Sequence, residues 1–63
     1  MKECASCLRG EEPGVEAEAL VSYYNDDERR PVREWLCSGH LDTVYDDEGY
    51  GVREGSVSVQ ERA

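Results

Sequence analysis

Sixty-three residues allow one small domain, and seven basic against fifteen acidic side chains give it a net charge of −8. So short a chain buries too little surface for a self-sufficient core, and so acidic a chain disfavours nucleic acid as a partner. No apolar run approaches the roughly 18–20 residues of a membrane span, so no membrane role is expected.

Without Phe or Ile, the large apolar side chains are Leu, Val, one Trp and four Tyr. At about 1.5–3 kcal/mol for each one fully buried, such a core scarcely offsets the entropy of ordering the chain. A coordinate or covalent staple is therefore expected. Three cysteines, an odd number, argue against a closed disulfide framework and toward thiolates used as ligands. Met1-Lys2-Glu3 leads into no signal-peptide core, and the expected compartment is the cytoplasm.

Cys4-Ala-Ser-Cys7 opens the chain as a two-ligand knuckle, with Gly10 easing the exit from it. Pro13-Gly14 is turn punctuation. The alternation from Val15 through Tyr24 suits a half-buried strand; Val15, Ala19, Leu20 and Tyr23 also share a helical face, and the β-branched and aromatic residues favour the strand. A polar turn from Asn25 to Pro31 leads into a second strand, Val32 to Leu36, with Val32, Glu34 and Leu36 on one face. That hairpin ends on Cys37. Residues 38–49 read as a short helix of about two turns, with Ser38 as cap, Leu41, Val44 and Tyr45 on one face and Gly49 as the stop. Beyond Tyr50, Val52 and Val57-Ser58-Val59 offer one more strand, or a hairpin turning at Glu54-Gly55. The expected layout is a single domain over residues 1–60 with a frayed tail at 61–63.

The chemistry lies in Cys4-x2-Cys7 followed by Cys37-x2-His40. These two pairs use all three cysteines and the one histidine, and together they form a Cys3His set. Such a set suits one tetrahedral Zn²⁺ per chain, closed by four protein ligands. Iron competes, since thiolate-rich tetrahedral sites suit both metals. A redox pair at Cys4 and Cys7 is the other reading, but a thioredoxin-like motif needs a βαβ framework that this chain is too short to supply. With no open coordination position, no second histidine and no phosphate-cradling loop, the chain reads as a non-enzyme. Asp46-Asp47-Glu48 reads as a solvated helix end.

A knuckle, a β-hairpin and a second ligand pair at the start of a helix resemble the treble-clef type of zinc finger, over roughly residues 4 to 49. The acidic, lysine-poor composition is one that halophile proteomes favour, although an acidic regulator of an ordinary cytoplasm shares it. With the short length it makes the chain similar to the small zinc-finger proteins of haloarchaea. The resemblance implies a small zinc-stabilised α+β fold, with a zinc ribbon as the alternative architecture.

Two binding roles follow from the remaining residues. The first is a protein-interaction or regulatory module. Trp35 is expected in the small core, and Tyr24 and Tyr50 are expected as the exposed aromatic pair that meets a protein partner. The alternative is nucleic-acid binding through Arg29, Arg30 and Arg33, beside the stacking surface of Trp35. Asp26, Asp27, Glu28 and Glu34 surround those arginines and cancel their charge.

Overall fold

A computed structural model of the chain describes residues 2–46 and 49–63. Five elements follow in order: α1 (Ala5–Arg9), β1 (Ala19–Asn25), β2 (Arg30–Leu36), α2 (Ser38–Tyr45) and β3 (Ser58–Arg62). The three strands form one antiparallel sheet in the order β2-β1-β3. Knuckle, hairpin and helix therefore occur in the treble-clef-like order, with the second Cys/His pair opening a helix.

The central strand, β1, is the stretch richest in β-formers, and its alternation decides the layers. Ala19, Val21 and Tyr23 point to an inner face, where Leu36 from β2 and Leu41 and Val44 from α2 meet them. Leu36, Val21, Val44 and Cys4 are fully buried. The core is thus continuous with the cysteines rather than separate from them.

The strand expected from Val15 begins only at Ala19. Pro13-Gly14 turns the preceding segment back along the N-terminus, where Cys4 N–H donates to Val15 O (2.9 Å) and Ala17 N–H to Lys2 O (2.7 Å). Those bonds fasten the knuckle to the base of the sheet. β2 starts two residues earlier than expected, at Arg30, and includes Pro31. As an edge strand it tolerates a residue that cannot donate to the ladder.

Residues 61 and 62, expected to fray, are instead the end of β3. Glu61 pairs with Leu20 and Arg62 with Ala19, and Ala63 N–H donates to Glu18 O (2.8 Å). The free edge of β1 recruits them through its backbone. A bulge between Leu20 and Val21 adjusts the register so that Val59 lies against the core. The turn expected at Glu54-Gly55 is present, closed by Ser56 N–H to Arg53 O (3.1 Å) with Gly55 at φ +78°. Val52 forms an isolated bridge with Asn25 and packs in the core.

α2 ends at Tyr45, two turns long, and its cap position is Cys37 rather than Ser38. Of the carboxylates placed at its end, Asp46 is the exposed C-cap; Asp47 and Glu48 lie outside the described residues. No helix among the described residues is long and apolar enough to cross a membrane.

Trp35 is not in the core. It lies half-buried on the outer sheet face beside Leu20, with Lys2 Nζ 5.5 Å from its ring centroid. The pleat sends Trp35 outward because Leu36 and Glu34 point inward. The exposed tyrosine is Tyr45 (55 %), whereas Tyr24 and Tyr50 are both half-buried.

Candidate metal centre

The knuckle is one turn of helix. Cys4 occupies the N-cap of α1, and its Sγ accepts from the Cys7 backbone N–H at 3.4 Å. That turn places the two sulfurs, three residues apart, on the same side. The second pair keeps the spacing without the cap bond: Cys37 sits at the N-cap position of α2, and His40 lies one turn on, at i+3. β2 delivers Cys37 directly from Leu36, a fully buried residue of the hairpin.

The four ligand atoms all lie within 4.8 Å of one another. His40 turns Nδ1 into the cluster, 3.4 Å from Cys4 Sγ, 3.4 Å from Cys7 Sγ and 3.3 Å from Cys37 Sγ. Cys7 Sγ and Cys37 Sγ are 3.8 Å apart. A tetrahedral ion with bonds of about 2.3 Å to sulfur and 2.05 Å to nitrogen has edges of about 3.8 Å between sulfurs and 3.5 Å from sulfur to nitrogen. These four separations lie close to those edges. They are far too long for a disulfide, whose S–S bond is about 2.05 Å, and all three cysteines are free.

Cys4 and Cys7 are buried, while Cys37 and His40 are partly exposed. Burial works to raise the Cys4 thiol. Hydrogen bonds from the backbones of Cys37 and Cys7, reinforced by their side chains, outweigh it and bring the thiol down from 9 to about 7. At Cys7, burial and then the neighbouring Cys4 and Cys37 act together and push the thiol up to about 12. Three thiolates cannot share this volume without a counter-charge, and a metal cation at the centre supplies one. The donor set therefore fits one metal ion with no position left for water.

A cleft of about 750 Å³ adjoins the cluster and is bordered by His40, Tyr23, Tyr50, Ser6, Arg9 and Glu34. Tyr50 meets Tyr23 edge to face, with centroids 6.1 Å apart, and its hydroxyl is hydrogen-bonded to Ser6 Oγ. Burial, then the Glu34 carboxylate, pushes the Tyr23 hydroxyl up to about 12.

The expected binding residues do not converge. Tyr24 stands on the outer sheet face beneath Arg53, whose guanidinium carbon is 4.0 Å from the ring centroid, while Tyr50 lies over the inner face. Arg30 faces inward and pairs with Glu28 (3.0 Å), Arg33 faces outward, and Arg29 sits in the turn at φ +55°. Sequence reasoning counted Glu34 among the acids around the hairpin arginines and gave Arg9 no role, yet the two form a bidentate pair (2.8 and 3.2 Å) across 25 residues. The one available signal was Glu34 sharing a face with Val32 and Leu36, which puts a carboxylate among inward-facing residues.

Fold and cluster together define a small α+β domain whose knuckle and helix start converge on a Cys3His set compatible with a structural metal site. No protein-family model, curated protein or solved structure matches the chain.

Proposed function

We propose that the protein is a small zinc-binding, non-catalytic module, in which one Zn²⁺ held by Cys4, Cys7, Cys37 and His40 braces a surface for another protein. The observation that carries this reading is the convergence of three sulfurs and one imidazole nitrogen within 4.8 Å of one another. Thiolate and imidazole donors in a closed four-ligand set favour Zn²⁺ and leave it no role as a Lewis acid. Binding energy of this kind is folding energy, so the metal acts by making the surface exist. The interaction role draws support from the acidic surface and from the cleft beside the metal set.

Cobalt(II) substitution tests the site: the intense visible bands of a tetrahedral thiolate complex at one equivalent are expected, and their displacement by one equivalent of zinc. Six-coordinate spectra, or no stoichiometric binding, would contradict the reading. The interaction role is tested by capturing partners with metal-loaded protein and with the Cys7→Ser variant. Partners retained by both would show that the braced fold is not what they recognise.

Nucleic acid is the second reading, and one observation favours it. Lys2 over Trp35, Arg53 over Tyr24, and Arg33 place three cations and two rings on the outer sheet face. The expected effect of mixed RNA and DNA oligonucleotides on the amide spectrum is nonetheless small, because the net charge of −8 opposes phosphate.

A further inference from the structure

The Arg9–Glu34 pair is unequal in a way that bears on what the cleft takes. The Glu34 side chain is only 11 % exposed, whereas that of Arg9 is 60 % exposed. The acceptor is thus built into the floor on β2, while the donor reaches it from the surface of α1, the short turn that carries the knuckle. Glu34 accepts two parallel bonds from the guanidinium (2.8 and 3.2 Å) and a longer one from Tyr23 Oη (3.4 Å). The same guanidinium donates to Ser6 Oγ (3.0 Å). The Tyr23 and Tyr50 rings stand beside these groups along the same cleft. A half-hidden carboxylate, a hydroxyl acceptor and an aromatic wall are the parts that recognise a planar guanidinium.

We propose that this cleft is the docking site for an arginine side chain of a basic partner segment, and that Arg9 occupies it in the free protein and gives way on binding. The proposal rests on the protein-interaction reading and names the chemistry of the partner. Leaving a mostly buried carboxylate unpaired is costly, so Arg9 does not simply depart. Exchanging it for another guanidinium keeps the ion pair intact and returns Arg9 to water. The net charge of −8 attracts a basic segment and repels phosphate, which selects a basic peptide as the occupant. A cleft of this volume lies within the range of ordinary ligand sites.

The test uses metal-loaded, ¹⁵N-labelled protein titrated with a capped peptide carrying one arginine between glycines. The matching citrulline peptide, of the same shape without the charge, is the control. Amide shifts centred on Ser6, Tyr23 and Glu34 are expected with the arginine peptide and not with the citrulline one. Arg9→Ala should bind at least tenfold more tightly than the parent, and Glu34→Gln at least tenfold more weakly. If Glu34→Gln does not fold, the Arg9→Ala comparison decides alone, because it leaves the floor of the cleft intact. Equal binding of both peptides, or no gain in Arg9→Ala, would overturn the proposal. A partner protein captured equally well by the parent and both variants would overturn it too, while leaving the interaction module standing. Failure of the parent to capture any partner would instead remove the broader reading.

Discussion

The two ends of the sheet are held by different physics. At the metal end, Cys4, Cys7, Cys37 and His40 converge from positions up to 36 residues apart, and the fully buried Leu36, Val21 and Val44 lie around them. At the hairpin end, the joints are polar. Asn25, the one buried polar residue among the described residues, donates to Tyr50 O (2.8 Å) and accepts from Glu28 N–H (2.8 Å). Asp26 N–H donates to Gly51 O (2.7 Å), Arg53 N–H donates to Tyr24 O (2.8 Å), and Arg53 pairs with Asp26 (2.7 Å). A metal ion held by this set would secure the metal end through coordinate bonds. Hydrogen bonds worth about 1 kcal/mol each fasten Tyr50, Gly51 and Arg53, 25 residues or more along the chain, to the hairpin end. A domain too small to build both ends from apolar surface gives the metal end the donor set able to form its strongest bonds.

The largest effect should come from the metal end. Removing one ligand with Cys37→Ser is expected to abolish the native fold. Structural zinc contributes about 10–16 kcal/mol in small fingers, more than the whole stability of a domain this size. Circular dichroism and tryptophan fluorescence of the variant should match those of the unfolded chain; a native spectrum would erase the contrast between the ends. Acid should act on the same end, since protons compete for the thiolates and imidazole, with metal released as pH falls.

Breaking the hairpin end should cost less and leave the metal bound. Asn25→Ala removes both bonds of a buried amide and is expected to lower stability by about 2–3 kcal/mol, measured by chelator-free denaturation of the holo protein. Gly51→Ala should cost about 1–2 kcal/mol. Gly51 has φ +64°, and an added Cβ meets the Asp27 carboxylate. One zinc per chain in both variants would sharpen the comparison, and loss of metal in either would show the ends to be coupled.

Alkali probes the ground between them. Tyr23 is held neutral in the fold, its hydroxyl raised from 10 to about 12 by burial and then by Glu34. Its contribution to stability is therefore fully present below pH 10 and lost as pH rises through 12, because the unfolded chain gives up that proton first. Tyr23→Phe should flatten this alkaline decline. At the small end of the scale, Arg29→Gly is expected to stabilise by about 0.5–1 kcal/mol, since Arg29 holds φ +55° in the turn.

The same contrast explains what the sequence revealed. Spacing alone brought out the four-residue set, because a chelate turn imposes a short and regular interval on its ligands. The hairpin and α2 were legible because apolar periodicity and turn residues agree there. β3 was legible only as far as Val59: Gln60, Glu61 and Arg62 join the sheet through backbone groups, and their side chains stay exposed. Trp35 was misplaced because its size suggested the core while the pleat sends it outward. Arg9 as the partner of Glu34 and the choice of His40 Nδ1 over Nε2 are tertiary facts with no local signature.

The most direct measurement is native mass spectrometry of the purified protein paired with its proton–nitrogen correlation spectrum, before and after chelation. The account predicts one zinc per chain and a dispersed spectrum that collapses when the metal is withdrawn. A dispersed spectrum from metal-free protein would contradict it, because the core would then stand without the ion that the four ligands are placed to hold.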